Sequence, residues 1–176
     1  DPLNASAESV YSITLSDLNE APSVIFANPD KIDSKGKYHQ SVPEGQKFVT
    51  DLNASDPEGD AVTFSIYSGL DANFFEIDAH TGIVEFKTLP DFESFEDNRS
   101  LNKFDLKIKL SDGQNVSIAA MDVWLGDKNE APFGLSLSNN VIDENQPTGN
   151  VVGEFNATDP DGDALTYALI NGAGAT

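Results

Sequence analysis

Phe104-Asp105-Leu106-Lys107-Ile108-Lys109-Leu110-Ser111-Asp112-Gly113 reads as a half-buried β-strand running into a turn. Apolar side chains at 104, 106, 108 and 110 alternate with charged ones at 105, 107 and 109. A two-residue period places successive side chains on opposite faces of a pleated strand, and Asp-Gly ends it. Working outward, Met121, Val123 and Leu125 form a second stripe, Phe64 and Ile66 a third, and Ile83, Val84 and Phe86 a fourth. Turn signals separate them, at Pro57-Glu58-Gly59 and His80-Thr81-Gly82. No window carries a sustained helical stripe. Short strands in a unit of about 110 residues predict an all-β fold, a Greek-key sandwich of roughly seven strands in two antiparallel sheets.

Two motifs recur in order. Asp17-Leu18-Asn19-Glu20-Ala21-Pro22 returns as Asp127-Lys128-Asn129-Glu130-Ala131-Pro132, and Asn53-Ala54-Ser55-Asp56-Pro57-Glu58-Gly59-Asp60 returns as Asn156-Ala157-Thr158-Asp159-Pro160-Asp161-Gly162-Asp163. Such self-similarity is the mark of a tandem array. The expected organisation is the last strand and linker of one module (residues 1–22), a whole module (23–132) and the start of a third (133–176). Tyr11, Ile13 and Leu15 stand before the first linker as Met121, Val123 and Leu125 stand before the second, so they are expected to form that preceding module's final strand. The third module's Val151, Val152, Phe155, Leu165 and Tyr167 are expected to lie in about three strands with no opposing sheet.

The charge balance narrows the function. Among 176 residues, 30 Asp and Glu face 10 Lys and Arg, a formal charge of -20. That excludes nucleic acid or anionic lipid as the main partner and makes divalent cations the natural counter-charge. No apolar run approaches the roughly 18 residues that span a bilayer. Asp1 opens without a basic and apolar leader, so the expectation is a soluble chain, processed or cut from something longer, with no membrane insertion. Cysteine is absent and only two histidines occur, which removes disulfides, zinc-thiolate sites and thiol nucleophiles. No nucleophile and base pair is suggested, and the expectation is a non-catalytic protein.

The ordered motifs resemble cadherin repeats, specifically the cadherin-like repeats of large bacterial surface proteins. They are Glu44 in Val42-Pro43-Glu44-Gly45, the acidic loop at Asp56, Phe75 through Ile83, Leu89-Pro90-Asp91-Phe92-Glu93, Leu110-Ser111-Asp112-Gly113, and the linker Asp127 to Pro132. The resemblance covers essentially the whole chain. It departs at Glu58, where the family usually has Asp, and in the Glu-Ala of the linker. No tryptophan of the exchanging vertebrate type stands near the N-terminus, so that homophilic mechanism is not carried over.

The resemblance implies calcium, and the chemistry agrees. Calcium takes six to eight hard oxygens in loose geometry, which carboxylates on both sides of a short linker supply. The resemblance assigns to the second junction Glu44, Asp91 and Glu93 from the module base, Asp127, Asn129 and Glu130 from the linker, and Asp159 and Asp161 from the next module, with Asp163 as an extra candidate. At the first junction it brings Asp17, Asn19 and Glu20 to Asp56, Glu58, Asp60 and Asp112. Without metal, such carboxylates repel and the junction is expected to splay. Asp159 does not start an EF-hand, because Ala164 and Ile170 stand where Gly and Glu are required.

The function implied is an extracellular, cell-surface tandem repeat that calcium stiffens, in an adhesin or biofilm-matrix protein supporting cell adhesion. Neighbouring copies and other surface proteins are the partners expected besides calcium. The alternative is a calcium-dependent polysaccharide-binding module gripping sugar through acidic loops or exposed aromatics such as Trp124 and Tyr38. Asp78 and His80 read as a structural turn, Trp124 as an outward-facing aromatic, and the stretch from Asn28 to Gln40 as the one loop large enough to carry something specific. Asn-x-Ser/Thr triplets begin at Asn4, Asn53, Asn98, Asn115 and Asn156 and read as mostly structural.

Overall fold

The computed structural model describes residues 8–94 and 102–170; Asn4 and Asn98 lie outside them. The decisive stripe forms β8 (Lys103–Ser111), and it pairs antiparallel along its whole length with β9 (Val116–Gly126), from Lys103 opposite Trp124 to Ser111 opposite Val116. The turn between them is built by Asp112, whose Oδ1 accepts the N–H groups of Gln114 and Asn115, both at 2.6 Å. β5 (Thr63–Ser68) flanks β8 antiparallel, and β2 (Tyr38–Pro43) flanks β9 parallel, giving a four-stranded sheet in the order β2-β9-β8-β5. β3 (Phe48–Asp51), β7 (Ile83–Phe86) and β6 (Phe75–Ile77) make the facing three-stranded sheet in the order β3-β7-β6. The principal sheets therefore hold seven strands, as the alternation predicts. β4 (Asn53–Ser55) prolongs β3 past Leu52 and pairs antiparallel with β1 (Ser23–Ile25).

The core fills the space between the sheets because the inward positions of every long strand are apolar. Leu106, Ile108, Leu110, Met121 and Val123 meet Val49, Val84, Phe75 and Phe86, all essentially without solvent contact. Phe104 meets both Phe75 and Phe86 edge-on, with ring centroids at 5.5 and 5.4 Å, a favoured aromatic geometry. In the fourth stripe the inward pair is Val84 and Phe86, while Ile83 lies on the outer, half-covered face. Two single-turn 3-10 helices, Pro29–Lys31 and Ala72–Phe74, are the helical segments among the described residues.

Several sequence expectations change. Tyr38 is 2% exposed and stacks on Phe26 with centroids 4.3 Å apart, so it is core and not a sugar platform. β2 is the edge strand of its sheet, yet the inward register of Tyr38 overrides its polar tip, which donates to Gln40 Oε1 at 3.2 Å. Trp124 does face outward, at 36% exposed, with Lys103 Nζ 5.1 Å from its ring centroid. The Asn28 to Gln40 stretch is shorter as a loop than expected, because residues 38–40 already belong to β2. Tyr11, Ile13 and Leu15 form no strand and stand exposed, since a strand needs a hydrogen-bonded neighbour and none lies beside them among the described residues. Beyond the second linker the described residues hold two strands, not three: β10 (Phe133–Leu137) pairs antiparallel with β11 (Phe155–Thr158), while Leu165 and Tyr167 lie outside any strand.

The outer face of the four-stranded sheet carries a buried charge. Asp105 and Asp122 sit directly opposite each other on β8 and β9, a like-charge pair that a sheet does not tolerate unaided. Lys37 reaches both carboxylates, and Lys103 Nζ lies 2.8 Å from Asp122 Oδ2. Asp122 is 1% exposed, yet its carboxyl stays below the ordinary range, because the two lysines outweigh the burial that pushes it up. Asp33 positions Lys37 by accepting the N–H groups of Lys35 and Lys37 on its Oδ1.

Candidate metal junctions

Glu44 closes the base of the central sandwich, just past the end of β2, and is 5% exposed. Its Oε2 accepts the Phe92 N–H at 2.6 Å and its Oε1 the Lys128 N–H at 2.8 Å. A buried carboxylate satisfied by two backbone donors holds the Asp91 loop and the linker in one place. Gly45, next in the chain, has φ 72°, a turn conformation open to glycine.

Around this anchor the carboxylates of three chain segments converge. Glu44, Asp91 and Glu93 each offer an oxygen within 4.8 Å of the others, and so do Glu93, Glu130 and Asp161. Glu93 therefore belongs to both triads. Asp161 is held by the Glu130 N–H, which donates to its Oδ2 at 2.9 Å. Asp91 is held by Ser94, whose Oγ–H donates at 2.7 Å, and these bonds keep its carboxyl below the ordinary range. A cleft of about 350 Å³ opens here, lined by Glu44, Asp91, Glu93, Glu130 and Pro160 among others.

The electrostatics of the second junction are those of crowded negative charge. Partial desolvation and then the charges of Glu44, Asp127 and Asp161 push the Glu93 carboxyl up. Glu130 is raised by desolvation and then by Glu44, Asp161, Glu93 and Asp127. Asp127 is raised by desolvation, then by its hydrogen bond with Asp161 and by the charges of Asp161, Glu44 and Asp163. One Glu130 oxygen, Oε2, is enclosed and meets no hydrogen-bond donor among the described residues.

The first junction repeats this plan with fewer members. Asp17, Glu20 and Glu58 offer oxygens within 4.8 Å of one another. The Glu20 N–H donates to Glu58 Oε2 at 3.1 Å, as the Glu130 N–H does to Asp161. Glu58 thus takes the place of the Asp it replaces. Its hydrogen bond and charge, followed by desolvation and Asp17, raise the Glu20 carboxyl. Asn19 Nδ2 donates to Asp112 Oδ2 at 2.8 Å, and Asn115 Nδ2 to the Asn19 carbonyl at 2.6 Å. In the top loop Asp56 Oδ1 accepts the N–H groups of Glu58 and Asp60, while Asp56 Oδ2 is enclosed with no donor among the described residues.

Of the residues assigned from sequence, the triads gather Glu44, Asp91, Glu93, Glu130, Asp161, Asp17, Glu20 and Glu58. Asp127 joins electrostatically. Asp56, Asp112, Asn19, Asn129 and Asp159 stand outside the triads and shape the loops: Asp159 Oδ1 accepts the Asp163 N–H at 3.2 Å, and Asn129 Nδ2 donates to the Glu130 carbonyl at 2.9 Å; Asp60 and Asp163 also stand outside the triads and lend backbone N–H groups to Asp56 and Asp159. Glu144 stands 100 residues after Glu44 and is followed by Asn145 at φ 63°, as Glu44 is followed by Gly45, but it is exposed and joins none of these triads.

No family model matches the chain. Among curated proteins, cadherin-related family member 2 of Mus musculus is 35% identical over 121 residues, covering 68% of this chain and 9% of that protein. Human cadherin-23 is 31% identical over 135 residues, covering 74% and 4% respectively. The chain thus spans less than a tenth of the length of these relatives. A crystal structure of human protocadherin-24 EC1-2 superposes with a TM-score of 0.51 at 27% identity, covering 81% of this chain and 61% of that one. Drosophila N-cadherin EC1-4 gives 0.51 at 21% identity, covering 81% and 34%. The sandwich is a cadherin-like domain with an all-β cadherin fold.

Proposed function

We propose that the chain is a piece of an extracellular adhesion protein, a non-catalytic tandem of cadherin-like modules stiffened by calcium at their junctions. One observation carries it: Glu93 is shared by two carboxylate triads drawn from the module base, the linker and the following loop. A cation there would bond three segments that otherwise repel, and calcium's loose, high coordination number suits carboxylates of unequal reach. Glu44, Asp91, Glu93, Asp127, Glu130 and Asp161 are the proposed ligands at the second junction, with Asn129, Asp159 and Asp163 completing it. Asp17, Asn19, Glu20, Asp56, Glu58, Asp60 and Asp112 form the sparser first one. The proposed modules are residues 1–22, 23–132 and 133–176. A bacterial surface or matrix protein is the finer form of this reading and rests on the motif resemblance; the similar proteins named above are from mouse, human and Drosophila.

The test is a calcium titration by calorimetry on the wild type, Glu93→Gln and Asp78→Asn. Glu93→Gln keeps shape and removes one charge from both triads, so it weakens binding by at least about tenfold, roughly one charge-assisted bond. Asp78 only caps its own turn, accepting the His80 and Thr81 N–H groups, and its substitution leaves the titration unchanged. Wild type without a calcium heat, or equal losses in both variants, would sink the reading.

A further inference from the structure

The two broad faces of the central sandwich carry opposite charge. On the four-stranded sheet the outward positions of β8 are Lys103, Asp105, Lys107 and Lys109, and Lys37 lies over them. Four lysines against Asp33, Asp105 and Asp122 still leave this face net positive in a chain whose total is -20. Lys37 and Lys103 are committed to those aspartates. Lys107 and Lys109 make no ion pair or side-chain hydrogen bond among the described residues, and Val116 and Ile118 stand exposed beside them on β9. On the three-stranded sheet, Glu76 and Glu85 face each other across β6 and β7, with Asp51, Phe48 and Ile83 as the other outward positions and Lys47 and Lys87 at the rim. Glu76 and Glu85 likewise have no cation among the described residues. A directly opposed pair of like charges costs stability, and here, unlike at Asp105 and Asp122, no lysine of the same sheet offsets it.

We propose that the lysine face of one copy docks on the glutamate face of a second copy. Lys107 and Lys109 lie about 7 Å apart along a strand and Glu76 and Glu85 about 5 Å apart across one, spacings a pair of flexible lysines can bridge. Phe48 and Ile83 on one side and Val116 and Ile118 on the other give the contact an apolar centre. Overall repulsion between two acidic chains is screened beyond about 8 Å at physiological salt, whereas ion pairs in contact are not. The contact is heterologous, so a docked pair keeps one free lysine face and one free glutamate face and the association propagates sideways. A face of four short strands covers roughly 400 Å², below a standard interface, so a single module pair associates weakly and tandem modules in register multiply the effect. None of this uses the junction carboxylates, so it stands or falls apart from calcium.

The experiment is sedimentation equilibrium of the chain up to about 1 mM in physiological salt, with and without chelator. The wild type shows a weight-average mass rising at least about 1.5-fold with concentration, in the range of weak, small interfaces. Lys107→Glu/Lys109→Glu makes both faces acidic and Glu76→Lys/Glu85→Lys makes both basic, and each variant alone stays monomeric. An equimolar mixture of the two recovers association, because the acidic faces of one meet the basic faces of the other. Unchanged circular dichroism shows that each variant is folded. A monomeric wild type, variants that associate as wild type does, or a mixture that fails to recover association overturns the proposal. So does dextran sulfate binding that needs Lys107 and Lys109 in a chain that never self-associates, which would assign the face to a polyanion.

Discussion

Glu44 Oε1 accepts the backbone N–H of Lys128 at 2.8 Å, joining the end of the sandwich's second strand to a linker 84 residues away. The same carboxylate takes the Phe92 N–H on its other oxygen, so two chain segments are located before any cation arrives. Glu44→Gln replaces one acceptor by an NH2 donor facing a backbone N–H. The expected loss is about 1 to 3 kcal/mol, the cost of an unmatched buried donor, read as a lower urea midpoint in chelator. Its appearance without calcium separates the hydrogen-bonding role of Glu44 from ligation.

The junction carboxyls predict opposite pH slopes with and without calcium. Glu93, Asp127 and Glu130 have folded-state values raised above their unfolded ones, so between the two values the folded state holds more protons. Stability from this source therefore falls as pH rises through the folded values, and is regained on acidification. Asp91, Asp112 and Asp122 act the other way: their lowered values give stability that is present above the usual Asp range and lost below it. In chelator, melting temperature is expected to climb as pH falls from neutral toward the usual carboxylate range and to fall below that range. In millimolar calcium it declines over the same first interval, because protons displace the metal. Melting curves at a series of pH values, in both conditions, check the crossing.

Calcium at a hundredfold excess over its Kd adds about 2.7 kcal/mol to any structure that only the ordered junction offers. For a module of about 100 residues that is roughly a 10 °C rise in melting temperature. Magnesium, which insists on compact octahedral coordination and sheds water reluctantly, gives a small fraction of the shift at equal concentration. Differential scanning calorimetry in chelator, calcium and magnesium reads all three.

Asp122→Asn tests the sheet without touching a junction. Removing the charge leaves Lys37 with Asp105 alone and Lys103 without its carboxylate, and because both lysines reach solvent the expected loss is about 1 kcal/mol. The loss is the same in calcium and in chelator. A calcium-dependent loss, measured by urea denaturation, would contradict the separation of the two networks.

Two glycines with nearly equal φ should respond unequally. Gly82 at φ 76° has the Leu52 carbonyl oxygen 2.2 Å from where a Cβ would lie, whereas Gly59 at φ 79° has nothing within 4 Å. Gly59→Ala carries only the left-handed cost of about 1 to 2 kcal/mol. Gly82→Ala adds a backbone clash and exceeds it, as urea midpoints will show.

The strand alternation by itself determined the all-β sandwich: Phe104, Leu106, Ile108 and Leu110 can face one core only as a strand, and the repeated acidic motifs placed carboxylates at both ends of the unit. Period is a local property and repetition is a comparison of one stretch of sequence with another, so both survive in a one-dimensional reading. Tertiary structure alone decided the rest. Tyr38 looks like a surface aromatic until parallel pairing with β9 turns it inward onto Phe26. Asp105 and Asp122 are unremarkable charges in sequence, yet register sets them opposite each other and calls for Lys37. The sharing of Glu93 between two triads, and the exclusion of Asp159 and Asp163 from them, depend on how a base, a linker and a loop meet. These are distances between segments far apart in the chain, fixed by packing and hydrogen bonds that no short window of residues contains.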